Sequence, residues 1–465
     1  MAFSWYPGSC TTTYTHSEEP LLLQTRDGPQ RALPEICKDV IPPCTLNPFL
    51  FNGHLQTAWT AVKAAGPAIH YKRRVFEQED EGFKGHFTVD IVVKPPEEST
   101  KTSAEDGGPE DVGLREDPVR VGHTSLPPRT TYFTNEEFEE LGSDDTKPLL
   151  VTLHGLSGGS YETYLRHVLE PLVRYSSAGD KAGGISGGEW EALVVNSRGC
   201  AGSKITTSIL YNARATWDVR QVVKWARKIW PKRPIFGIGY SLGANILTNY
   251  IGEEGSNCLL SSAVVVSNPW KLEISNTMLQ RTWIGLNVYS KAMGRNMLRL
   301  FDTHAEQVMK NKAIKSDEIH KLKYLHEFDR AVQCASWGYP TEGAYYRDAS
   351  SADSVLAIRI PVLAVHATDD PIANDAAVPY EEIRQNPYVV MCATNGGGHL
   401  SWFELGGGRW HMKPAVGFLN AMRDVDFSKT AAPELWDKQG PHGGHQTPFK
   451  FSPMRRKSHR FGSEQ

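Results

Sequence analysis

The chain has 465 residues, with 50 basic and 53 acidic side chains and a formal net charge of −3. That balance gives no reason to expect nucleic acid or another polyanion as partner, and 40 % apolar residues suffice for a sizeable core in one large or two ordinary domains. No apolar run approaches the roughly 18–20 residues of a membrane span, the N-terminus lacks the basic start and apolar stretch of a secretory signal, and the seven cysteines are odd in number and without a C-x-x-C pair. These features predict a cytoplasmic protein with neither a disulfide framework nor a zinc site.

In chain order, residues 1–45 are rich in Thr, Pro and charge and are expected to form an irregular arm. Residues 47–57, Asn-Pro-Phe-Leu-Phe-Asn-Gly-His-Leu-Gln-Thr, read as a turn that buries its aromatics under the core, with His54 as an alternative substrate contact. Partial alternation over 71–93 predicts antiparallel strands. Residues 95–130 lose their aromatics and fill with Glu, Ser, Asp, Gly and Pro, so a disordered insertion is expected there. The apolar run 148–153 predicts a buried strand leading into the Gly-rich loop His154-Gly155-Leu156-Ser157-Gly158-Gly159-Ser160. A second Gly/Ser-rich stretch at 175–189 reads as a surface loop, 192–195 as a strand, and the spacing of Val219, Val222, Val223, Ala226 and Trp230 as a helix. Strands at 234–239, 263–267, 360–366 and 388–393 follow. The alternation of strand and helix predicts a mainly parallel sheet with helices on both faces. Residues 268–350 carry a helical pattern with an apolar, aromatic surface, read as a cap over a site. The main domain is thus placed at 46–430, and 431–465 is expected to be a polar, partly disordered tail. Its basic cluster 455–460 reads as a solvated tail, with contact to an anionic lipid surface as the sharper alternative.

The chemistry concentrates at Gly239-Tyr240-Ser241-Leu242-Gly243, a match to G-x-S-x-G between an apolar strand and an amphipathic helical pattern. In a nucleophile elbow the serine stands on a strained turn at the end of a strand, and the flanking glycines let strand and helix approach. The blander readings are a serine in an ordinary βα turn, or a dinucleotide loop. The glycine spacing, G-x-G-x-x-x-G, is wrong for the latter. A serine hydroxyl needs a base and the base an orienting acid. Ser241, Asp370 and His399 follow three different strands in the order Ser…Asp…His, so in a parallel sheet their ends share one edge. Asp369 competes with Asp370, which directly precedes Pro371; His154, His366 and His411 compete with His399, whose three preceding glycines let its loop bend. Backbone N–H groups of Leu242 and Leu156 occupy the two positions from which an oxyanion would be held. H-x-x-x-D occurs twice, at His86–Asp90 and His366–Asp370, a pattern short enough to arise by chance.

Over residues 45–425 the chain resembles the α/β-hydrolase family that includes bacterial YheT-type hydrolases, animal abhydrolase-domain phospholipases and fungal medium-chain fatty acid ethyl ester synthase/esterases. The resemblance rests on the 47–57 stretch, His154-Gly155-Leu156, Asn196-Ser197-Arg198-Gly199, the 239–245 elbow, Glu327-Phe328-Asp329, Asp369-Asp370-Pro371 and Gly397-Gly398-His399. It implies an α/β-hydrolase fold with a helical cap between the elbow half and the acid/histidine half. It also implies Ser241, Asp370 and His399 as charge-relay residues. The function expected is a serine esterase or alcohol acyltransferase working through an acyl-enzyme. Its substrates would be a fatty acyl ester or acyl-CoA with an alcohol or water, and no metal or bound cofactor is required. Peripheral contact with a membrane or lipid droplet fits that substrate. A phospholipase and a non-catalytic lipid- or partner-binding protein are the alternatives.

Overall fold

The computed structural model describes residues 8–26, 28–62, 66–96, 126–174, 188–433 and 453–454. Ten strands form one sheet: β1 (Thr12–Thr15), β2 (His70–Glu77), β3 (His86–Val93), β4 (Thr130–Tyr132), β5 (Leu149–Leu153), β6 (Glu191–Asn196), β7 (Ile235–Tyr240), β8 (Ser262–Val266), β9 (Val362–Ala367) and β10 (Val389–Thr394). Their spatial order is β1-β10-β9-β8-β7-β5-β6-β3-β2-β4. The six strands from β10 to β6 are parallel, while β1 and β3 join the two ends of this block antiparallel. The helices used below are α1 (Leu33–Val40), α2 (Gly53–Val62), α3 (Thr163–Val173), α4 (Thr216–Ile229), α5 (Leu242–Glu254), α6 (Leu272–Arg281), α7 (Lys291–Val308), α8 (Glu342–Ala349) and α9 (Met412–Arg423).

The parallel strands are continuous apolar runs because both their faces are covered. Successive residues of β5 divide between two cores: Leu149, Val151 and Leu153 pack on one side of the sheet, Leu150 on the other. This parallel block sets six strand ends side by side. The antiparallel pair expected over 71–93 is β2 and β3, paired from His70↔Val93 to Glu77↔His86.

Several expectations are corrected. Residues 1–45 are not an irregular arm: β1 adds an edge strand to β10, α1 packs on α9, and Leu21 and Leu23 are fully buried. The signal was weak because an edge strand needs only one ladder, and the four residues Thr-Thr-Tyr-Thr satisfy it with β-branched side chains rather than an apolar run. The aromatics of 47–57 are not buried either. Phe49 and Phe51 are 79 % and 78 % exposed, and the stretch instead turns into α2, whose Leu55 N–H is held by the Asn52 side chain at 2.9 Å. Most of the 95–130 insertion, the 175–187 part of the surface loop, and 434–452 and 455–465 of the tail lie outside the described residues. The strand Thr130–Tyr132 already belongs to the sheet. At the other end, Ala431 still pairs with Leu22 through two backbone hydrogen bonds of 3.0 Å.

One buried ion pair ties the antiparallel strands to the loops at the end of the parallel block. Arg73 on β2 and Asp90 on β3 are both fully buried and meet through two bonds of 2.6 and 2.8 Å. Asp90 also accepts from Ser160 Oγ and from Asn196 Nδ2. The His86–Asp90 H-x-x-x-D match is thereby accounted for as structure, since the His86 ring goes elsewhere, to Thr206 Oγ1 at 2.6 Å. Removing one partner strands an uncompensated charge, so Asp90→Ala should lower unfolding free energy by about 3–5 kcal/mol in urea titration. A loss under about 1 kcal/mol would show that Arg73 finds another partner.

Candidate active site

The parallel block brings Ser241, Asp370 and His399 to one edge. Ser241 follows β7 directly and precedes α5, with φ 51° and ψ −118°. This is a positive-φ conformation that a non-glycine residue holds only under constraint. The glycines on either side permit it. A Cβ on Gly239 would lie 2.6 Å from the Gly243 carbonyl oxygen, and one on Gly243 would lie 2.4 Å from the carbonyl oxygens of Leu153 and His154. Gly237, the extra glycine of the dinucleotide-like spacing, has the side chains of Leu260 and Leu247 packed over it.

His399 Nε2 accepts from the Ser241 hydroxyl at 2.8 Å, and its Nδ1–H donates to Asp370 Oδ2 at 2.8 Å. The other oxygen of Asp370 accepts the N–H groups of Ile372 and Ala373 at 2.8 and 2.9 Å. Burial alone pushes the Asp370 carboxyl upward, but the His399 ring and these N–H donors hold it below its ordinary value, so it stays a carboxylate. The competing Asp369 does different work. Its Oδ1 accepts the Gly398 N–H at 2.9 Å, fixing the loop that carries the histidine, and burial raises its carboxyl.

The histidine loop is clamped from outside by α2. The His399 N–H donates to Thr57 Oγ1 at 2.9 Å, and the Thr57 hydroxyl donates to Gly53 O at 2.7 Å. On the sheet side, Leu400 N–H donates to Ser267 Oγ at 3.2 Å. Thr57 and Ser267 were not singled out in the sequence, because a hydroxyl that holds a distant backbone leaves no local pattern. His54 is not part of this cluster; it stacks on Tyr289 with Nδ1 2.9 Å from the Tyr289 hydroxyl.

The loop after β5 lies against the elbow: a Cβ on Gly155 would stand 3.5 Å from Ser241 Cβ. Two buried tyrosines hold it open, Tyr164 accepting the Gly155 N–H at 2.9 Å and Tyr211 the Ser157 N–H at 3.0 Å. Leu156 N–H, between them, and Leu242 N–H, at the first turn of α5, have no hydrogen-bond partner among the described residues. The tyrosines were likewise silent in the sequence. His154 is fully committed: Nδ1–H donates to Gly155 O at 2.7 Å and Nε2 accepts the Ser197 N–H at 3.0 Å. His366 is buried within β9, and His411 is buried against Trp402 and Tyr240. The Arg198-Gly199 loop is a structural clamp, with Arg198 bound to both Asp218 oxygens and to the carbonyls of Phe83 and Lys84. Among the described residues no His, Cys, Asp and Glu group is placed to hold a metal ion.

A parallel α/β sheet with a strained serine, a histidine and a buried carboxylate in hydrogen-bond sequence at its edge defines an α/β-hydrolase architecture. The family model described as alpha/beta hydrolase fold matches residues 148–404, and the chain belongs to that family. It is 33 % identical to a monoacylglycerol lipase of Saccharomyces cerevisiae over 91 % of this chain and 93 % of that protein. It is 31 % identical to medium-chain fatty acid ethyl ester synthase/esterase 2 of the same yeast, over 82 % of this chain and 86 % of the relative. Mouse phospholipase ABHD3 is 30 % identical over 59 % of this chain and 62 % of its own length. Its relatives are thus lipase- and esterase-type hydrolases.

The His154 arrangement makes a pH prediction. The bond that Nε2 accepts from Ser197 requires the neutral ring, and burial lowers its pKa to about 4. In the unfolded chain the ring protonates near its ordinary value of about 6.5. Between these values the unfolded state binds the extra proton, so stability is complete above about 6.5 and falls as pH drops toward 4. Chemical denaturation at successive pH values should show this loss, and His154→Gln should flatten it by up to about 1.4 kcal/mol per pH unit. An unchanged slope in the variant would assign the acid sensitivity to other groups.

Proposed function

We propose that the chain is a serine hydrolase that transfers the acyl group of a fatty acyl ester or thioester through Ser241. The single observation supporting this is the unbroken hydrogen-bond path from Ser241 Oγ through His399 to Asp370, with 2.8 Å at each step. His399 Nε2 takes the hydroxyl proton as Ser241 Oγ attacks the carbonyl. Asp370 holds the ring in the required tautomer and stabilises the imidazolium. The free N–H groups of Leu156 and Leu242 receive the oxyanion, each donor contributing roughly 3 kcal/mol to the transition state. His399 then gives its proton to the leaving alcohol or thiol. The acyl-enzyme is released by water, or by an alcohol to give a new ester, with His399 acting again as base. The helices between β8 and β9, from α6 to α8, act in this reading as the cap that admits the acyl chain, and a medium-length chain is proposed from the likeness to the yeast ester synthase/esterase. The monoacylglycerol lipase and phospholipase relatives favour glycerolipid esters as the second substrate class.

A fluorophosphonate probe should label the wild-type chain and leave Ser241→Ala unlabelled; equal labelling would remove Ser241 as nucleophile. With p-nitrophenyl esters of increasing chain length, Ser241→Ala should lower kcat/KM by at least about 10⁴-fold and Asp370→Asn by about 10⁴-fold, with Asp369→Asn far milder. Added ethanol and octanoyl-CoA separate alcohol transfer from hydrolysis. Negligible turnover at every chain length would contradict the fatty-acyl reading.

A further inference from the structure

Helix α2 is amphipathic the wrong way round. Its inward residues are polar and engaged: buried Gln56 binds the Leu50 and Phe403 backbone, Thr57 holds His399, and Thr60 Oγ1 meets Ser401 Oγ at 3.0 Å. Its outward residues are Leu55, Trp59 and Val62, spaced four and three apart on one stripe and all exposed. The exposed rings of Phe49 and Phe51 lead into the same helix. A second segment adjoins it through the His54–Tyr289 stack, at 5.7 Å between ring centroids. That segment, residues 283–290 between α6 and α7 with a π-helical turn over Gly285–Ser290, exposes Trp283, Ile284 and Val288. Eight of the eleven large apolar side chains exposed among the described residues thus come from two touching segments. Contiguous apolar area of this kind marks an interaction site.

Charge distinguishes among occupants. Residues 40–76 and 274–301 contain no Asp or Glu, although the whole chain is net negative. Within 274–301, Arg281, Lys291, Arg295 and Arg299 are all exposed, and none pairs with a carboxylate among the described residues. Apolar and tryptophan side chains rimmed by unpaired Lys and Arg suit the boundary of a lipid layer with anionic headgroups.

We propose that the outward face of α2, the 49–51 loop and the 283–288 turn form a docking surface for an anionic phospholipid layer. The layer takes the aromatic rings into its headgroup–acyl boundary and sets its negative charge against the α7 arginines. Binding needs no chemistry at Ser241. The further consequence rests on the hydrolase reading: because the inner face of α2 holds His399, docking places the candidate site against the layer that supplies its substrate.

The test is flotation of the full chain with vesicles of phosphatidylcholine alone and with added phosphatidylserine. The chain should float with the anionic vesicles, less so at high salt. Phe51→Ser and Trp283→Ser should each weaken partitioning by about tenfold, and Arg295→Glu by roughly fivefold or more. Circular dichroism spectra and urea unfolding midpoints should stay close to wild type in all three variants, which shows that they fold. No flotation of the wild type, or undiminished flotation of the Phe51→Ser/Trp283→Ser double variant, would overturn the proposal. So would a concentration-dependent dimer, abolished in that double variant, without vesicle binding. Flotation is read without turnover, so a failed hydrolase assignment would leave this result standing.

Discussion

The elbow at Ser241 is the constraint on which the rest of the architecture depends. A residue with a side chain is held at φ 51° because β7 and α5 close tightly on each other. That closeness is available only where positions 239 and 243 lack a Cβ. The strained turn lifts the hydroxyl out of the sheet edge and leaves the first N–H of α5 without an intrahelical partner, as every helix start does. The candidate nucleophile and one candidate oxyanion donor therefore come from the same two-residue geometry. The parallel register of the neighbouring strands then decides which loops can reach it.

Two supports stand outside that turn. Tyr164 and Tyr211 occupy the N–H groups on either side of Leu156, so of these three neighbouring N–H groups only that of Leu156 is left to offer. The neutral His154 pins the same loop to Ser197. The histidine loop is fixed by Asp369 and Thr57, and Thr57 belongs to α2. Turning the polar side of α2 inward to make that clamp forces its apolar side outward. The exposed stripe and the position of His399 are thus two consequences of one helix orientation.

Much of this was legible in the sequence. Buried parallel strands are continuous apolar runs, and the elbow, the acid loop and the histidine loop each follow one, so Ser241, Asp370 and His399 could be chosen before any geometry. Of the two competing acids, Asp370 contacts the His399 ring and Asp369 the N–H of Gly398 in the histidine loop. The N-terminal strand was illegible because an edge strand of threonines has no apolar signature. The 47–57 stretch, expected to be a turn with buried aromatics, was misread for a more instructive reason. Aromatic residues are usually read as core, and only the hydrogen bonds of Gln56, Thr57 and Thr60 reveal that the polar side faces in. The tyrosines that shape the β5 loop act across distances of sequence that no local pattern records.

The most direct measurement is a structure of the chain after reaction with a fluorophosphonate ester. The account predicts phosphorus bonded to Ser241 Oγ, its phosphoryl oxygen about 2.7–3.1 Å from both the Leu156 and Leu242 nitrogens, and His399 Nε2 facing the remaining alkoxy group. Phosphorus on another residue, or a phosphoryl oxygen turned away from both nitrogens, would contradict it.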